Sequence, residues 1–131
     1  MWVEKNLNPV GRKTGDCAVR AIANTLGIPW ETAYAMLSMN GFSMGDIMNA
    51  NSVTGSVLRQ HGFKKANIPN ECPECYTVKE FCENNPNGRF MLGTGTHVVS
   101  IIDGNYYDIW DSGDEVPVYV WYNEVIPVFD I

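Results

Sequence analysis

Thr14-Gly15-Asp16-Cys17-Ala18-Val19-Arg20-Ala21-Ile22-Ala23 places a cysteine at the head of an apolar helix. Far downstream, Gly95-Thr96-His97-Val98-Val99 places a histidine at the opening of a β-strand. A thiol at a helix N-terminus lies among unpaired backbone N–H groups and at the positive end of the helix dipole. Both favour the thiolate and lower its pKa. A histidine brought beside that sulfur completes the minimum machinery for nucleophilic catalysis by cysteine.

Outward from this stretch, the first helix is predicted from Asp16 or Cys17 to about Leu26, with Gly27 as its stop. Arg20 and Asn24 are nearly its only polar residues, so it belongs inside the domain rather than on its surface. Pro29 opens a second helix with an apolar stripe of Trp30, Ala33, Tyr34 and Leu37, which Asn40-Gly41 is expected to end. A third helix is predicted over residues 52–61, closed by Gly62, then a short extended piece from Phe63 to Ile68. Thr77 caps a brief fourth helix, Val78 to about Glu83. Residues 1–13 read as an irregular polar lead-in.

After residue 88 the character turns to β. Arg89–Gly93, His97–Ile102, Asn105–Trp110 and Val116–Tyr122 are strand candidates, and Asp103-Gly104 is a strong hairpin signal. Helices first and sheet second, with no βαβ alternation, predict an α+β domain with the Cys17 helix packed on a C-terminal antiparallel sheet.

The hairpin fixes which carboxylate can serve His97. A two-residue turn pairs Ile102 with Asn105 and puts Asp108 on the His97 face, one diagonal step away. A three-residue turn slips the register and sets Asp111 opposite His97 instead. The two-residue form is the commoner, which favours Asp108. Either carboxylate would fix the imidazole tautomer and stabilise the imidazolium. For the oxyanion, the Cys17 backbone N–H is one donor, and the side-chain amide of Asn8 or Asn6 is a candidate second.

Composition narrows the classes. At 131 residues the chain is expected to be a single domain, with 45% hydrophobic and 18% charged residues. A net charge of −6 with scattered basic residues argues against nucleic acid as the main partner. With no long apolar run and no signal-peptide pattern at the N-terminus, no membrane partner is expected and the cytoplasm is the expected location. No cofactor is expected either, and the sequence leaves the oligomeric state open.

Four cysteines, Cys17, Cys72, Cys75 and Cys82, are in a reducing compartment expected to be catalytic, metal-binding or buried rather than disulfide-linked. A zinc site of His61, Cys72, Cys75 and Cys82 can be composed on paper. Against it, a lone Cys-x-x-Cys is a weak signal, and Cys82 falls on a buried stripe with Val78 and Phe81. His61 would then interact with a helix C-terminus. Trp110, Trp121 and the tyrosines of the β half read mainly as a core and sheet-face set, and Trp110 is also a candidate for the cleft beside His97. Ser43–Asn51 is polar and Gly-containing, a candidate loop over that cleft.

Gly15-Asp16-Cys17-Ala18-Val19-Arg20-Ala21-Ile22-Ala23, with Thr96-His97-Val98-Val99 and Tyr107-Asp108-Ile109-Trp110-Asp111-Ser112, resembles the papain-like cysteine peptidase fold. More narrowly, it is similar to small papain-like proteins encoded by bacteriophages and prophages, over most of residues 14–112. The resemblance implies a central helix carrying the Cys17 nucleophile, packed against an antiparallel sheet carrying His97. One departure stands out: such enzymes usually carry a Gln shortly before the cysteine, and residues 9–16 contain no Gln or Asn. The expected function is a cysteine hydrolase acting on a protein or peptide substrate through Cys17, His97 and Asp108 or Asp111. The alternative is a catalytically silent protein of the same fold that binds a host protein.

Overall fold

The computed structural model describes residues 1–70 and 75–129. Four helices and a six-stranded mixed sheet make an α+β structure. In chain order the elements are β1 (Trp2–Glu4), α1 (Cys17–Leu26), α2 (Trp30–Met44), α3 (Asn51–Gln60) and β2 (Lys64–Asn67). They continue as α4 (Val78–Asn84), β3 (Arg89–Gly93), β4 (Val98–Ile102), β5 (Asn105–Asp108) and β6 (Tyr119–Tyr122). The sheet order is β1-β5-β4-β3-β6-β2.

Strand alternation divides the core into two layers. Met91, Val98, Tyr119 and Trp121 pack with Ala18, Ile22, Leu37, Val53 and Leu58 of α1–α3. Their alternate neighbours Phe90, Leu92, Val99, Ile101 and Val120 pack with Val78, Phe81 and Cys82 of α4. Cys82 is therefore a buried free thiol, as its place on the α4 stripe predicts.

Local signals account for most boundaries. Gly27 ends α1 in the left-handed conformation, φ 67°, returning its N–H to Ala23 and Asn24. Thr77 and Glu80 form a reciprocal capping box on α4. The Asp103-Gly104 turn takes two residues, so Ile102 pairs with Asn105 and Ser100 with Tyr107.

Several expectations are corrected, among them the strand Asn105–Trp110, which ends at Asp108. α2 runs through Asn40-Gly41 and ends at Gly45. Gly41 is required by a close return of the chain: a Cβ there would lie 2.9 Å from the Asp46 carbonyl oxygen and 3.2 Å from Met48 Cα. The N-terminal segment is not wholly irregular, because β1 pairs in parallel with β5, Trp2 opposite Tyr106 and Glu4 opposite Asp108. The sheet is thus mixed, with strands from both halves of the chain, rather than C-terminal and antiparallel. β6 begins two residues after Pro117, which has no N–H to give a ladder.

Cys75 is disulfide-bonded, not the free thiol expected. Cys72 lies outside the described residues, so the paper zinc site is incomplete among them, and no other group of His, Cys, Asp or Glu among them is placed to hold a metal. His61 Nδ1 lies 2.8 Å from the Val57 carbonyl oxygen at the end of α3. Among the described residues, no helix is long and apolar enough to cross a membrane.

Candidate active site

β4 begins at Val98 and its antiparallel neighbour β5 ends at Asp108, so both open on the same end of the sheet. The N-terminus of α1 is packed there. His97 is delivered by the tight turn Thr94–His97, closed by a bond from Thr94 N–H to the His97 carbonyl (2.9 Å) and one from His97 N–H to Thr94 Oγ1 (3.2 Å). Asp108 ends β5 because its own Oδ1 accepts the next backbone N–H, that of Ile109, at 2.9 Å. The sequence thus sets three chemical groups on three element ends, and the fold brings the ends together.

His97 Nε2–H donates to Asp108 Oδ2 at 2.6 Å, which leaves Nδ1 for Cys17, the other partner of the ring. Burial works against the Cys17 thiolate. It is outweighed by the His97 hydrogen bond, the Val98 backbone N–H and the charges of His97 and Arg20, which together bring the thiol below its ordinary pKa. Burial likewise disfavours the His97 imidazolium, yet hydrogen bonds and charges from Asp108 and Cys17 push its pKa up to about 9. Asp108 is 1% exposed. Burial opposes its ionisation, and donors from His97, Ser112 and Ile109 nevertheless hold its carboxyl below the usual range.

Asp111 is not at the site. Its carboxylate accepts from the Tyr106 hydroxyl and from Gly113 N–H, an arrangement that follows from the two-residue turn. The proposed oxyanion amides are also elsewhere. Asn8 Nδ2 donates to Asp16 and Asn6 Nδ2 to the Arg12 carbonyl. Trp110 stands against His97, ring centroids 5.0 Å apart and planes inclined by 40°, but it is not part of the cleft wall.

That cleft, about 160 Å³, is lined by Cys17, Ala18, Asn49, Asn51, Thr54, Gly95, Thr96, His97 and Val98. Asn49 and Asn51 come from the segment expected to lie over the cleft. Neither side-chain amide makes a hydrogen bond within the described residues. Sequence reasoning missed Asn49, Asn51 and Thr54, since an exposed Asn near a helix start is ordinary capping chemistry. It also missed Ser112, whose hydroxyl donates to Asp108 Oδ2 at 2.9 Å, and the partnership of Arg20 with Asp16 and Asp108. Arg20 did carry a signal: a charge on an otherwise apolar, interior helix must find a counter-charge.

Comparison with protein-family models, with curated proteins and with solved structures gave no match in any of the three.

Proposed function

We propose that the chain is a cysteine hydrolase of papain-like design that cleaves peptide, isopeptide or side-chain amide bonds. The observation that carries this is the series Cys17, His97, Asp108, whose first two members line a cleft, with His97 bonded to both its neighbours. The cleft wall holds no charged side chain apart from the Cys17–His97 pair, which suits a neutral amide better than an ionic substrate.

In this reading the Cys17 thiolate attacks the amide carbon, and the carbonyl oxygen takes the negative charge. Cys17 is the first residue of α1, so its backbone N–H has no partner within the helix and is free to donate to that oxyanion. The unpartnered amides of Asn49 and Asn51 line the same cleft and are candidate side-chain donors. His97 gives its proton to the departing amine, leaving a thioester on Cys17. It then takes a proton from the water that attacks the thioester, and the carboxylic acid leaves as the thiolate re-forms. Asp108 keeps the ring in place and the imidazolium stable throughout.

A panel of peptide, isopeptide and glutamine-amide substrates, read by mass spectrometry, tests the reading. The wild-type chain is expected to turn over at least one class and Cys17→Ala none. Turnover that survives Cys17→Ala contradicts it.

A further inference from the structure

Arg20 sits one turn into α1, is 7% exposed and touches two carboxylates. Its Nε donates to Asp16 Oδ1 at 2.8 Å and its Nη1 to Asp108 Oδ1 at 3.1 Å. Asp16 in turn is the residue before Cys17, and its other oxygen accepts from Trp30 Nε1 (2.9 Å) and Asn8 Nδ2 (3.4 Å). Asp108 accepts four donors: Arg20 and Ile109 on Oδ1, His97 and Ser112 on Oδ2. A carboxylate has about four acceptor positions, so Asp108 has no freedom to rotate while all four are filled.

Along Asp16, Arg20, Asp108, His97 and Cys17 the charges alternate in sign when the Cys17–His97 ion pair is formed. Replacing a buried ion pair by apolar residues is often neutral or stabilising, so packing alone gives no reason for a guanidinium inside α1. The fork does what an apolar side chain or a single ammonium does not: it spans two carboxylates at fixed angles. One of these lies beside the nucleophile and the other behind the imidazole.

We propose that Arg20 is a positioning residue of the site, whose guanidinium, anchored on Asp16 at the head of the Cys17 helix, aims the Asp108 carboxylate at His97. The proposal rests on the Cys17–His97–Asp108 reading above. It makes the helix that carries the nucleophile also set the orientation of the general acid/base, through one buried side chain.

The test is a double-mutant cycle read by Cys17 alkylation with iodoacetamide at a pH on the rising limb of the wild-type rate–pH profile, in full-length chains checked for native near-UV circular dichroism. Arg20→Gln is expected to slow alkylation about tenfold, the equivalent of about one pKa unit on Cys17. Arg20→Lys keeps the charge but loses the fork, and is expected to slow it at least about threefold. In an Asp108→Asn background Arg20→Lys is expected to change the rate by less than about twofold, because Arg20 then has no carboxylate to aim, and Arg20→Gln by a smaller factor than in the wild-type chain, only the direct effect of the Arg20 charge on Cys17 being left. Equal factors in both backgrounds, or wild-type rates in Arg20→Lys, overturn the proposal. Should Arg20→Gln not fold, Arg20→Lys with and without Asp108→Asn decides alone. A wild-type Cys17 that titrates as an ordinary thiol sinks the hydrolase reading itself, a different outcome from an additive cycle.

Discussion

His97 Nε2 stands 2.6 Å from Asp108 Oδ2, across the end of a hairpin whose turn is two residues long. Side chains only 11% and 1% exposed make this a desolvated pair, in which the carboxylate sets both the orientation and the charge of the ring.

Asp108→Asn is accordingly expected to lower the His97 pKa from about 9 and to cost activity about a hundredfold to ten-thousandfold. A raised histidine pKa helps only below itself: the imidazolium is lost as the pH climbs through the folded value. Activity in the wild-type chain should therefore fall on the alkaline side near pH 9, and in Asp108→Asn at a lower pH. The same sign holds for stability, where the His97 contribution is full below the unfolded value of about 6.5 and is lost as pH rises through about 9. Rate–pH profiles and pH-dependent denaturation on the two chains check this. NMR titration resolves it directly, with His61 as the only other histidine.

Asp111 and Ser112 are adjacent in sequence and opposite in consequence. Asp111→Asn is expected to leave Cys17 alkylation within about twofold of wild type, since its partners are Tyr106 and Gly113. Ser112→Ala removes a buried donor from Asp108 and should cost about 1 kcal/mol of stability together with a measurable fall in alkylation rate. A loss of reactivity in Asp111→Asn alone would mean the other hairpin register is populated in solution.

Asn49→Ala and Asn51→Ala separate bond-making from nucleophile activation. Whichever amide donates to the oxyanion should lower kcat by about a hundredfold to a thousandfold on removal. Iodoacetamide alkylation builds no oxyanion, so its rate should not change in either variant. Unchanged kcat in both, and in the double variant, would leave the oxyanion to backbone donors.

Gly41→Ala sets helix propensity against sterics. In an open helix the change would stabilise by about 1 kcal/mol. Here the new Cβ meets backbone at 2.9 Å and 3.2 Å, and overpacking of that kind costs about 1–3 kcal/mol. The expected net is a loss of stability in denaturant melts, with cleft residues Asn49 and Asn51 displaced, since the segment that must give way is the one leading to them.

Much of this site is legible in the sequence. Cys17 at a helix start, His97 at a strand start and the Asp103-Gly104 turn are each set by neighbours in sequence, and together they give the Asp108 register. What was not legible depends on contacts across the fold. β1 is three residues long and is held by Tyr106 N–H on the Met1 carbonyl and Lys5 N–H on that of Asp108. Gly41 looked like a helix stop because nothing local shows the chain returning over it. Asn8 precedes the cysteine at a plausible spacing, yet the carboxylate of Asp16 takes its amide. The interior place of α1 is legible, but the partners of its two polar residues are not: Arg20 meets Asp108, and Asn24 donates to Ser100 at 3.0 Å.

The measurement closest to the central claim is the pH dependence of Cys17 alkylation in a variant lacking Cys82, the other free cysteine among the described residues, with the Cys75 disulfide intact, with and without His97→Ala. An activated pair predicts a rate plateau that begins well below the free-thiol pKa of about 8.5 and disappears with His97. A midpoint near 8.5 in both chains would contradict it, and would make Cys17 a packing residue at the head of α1.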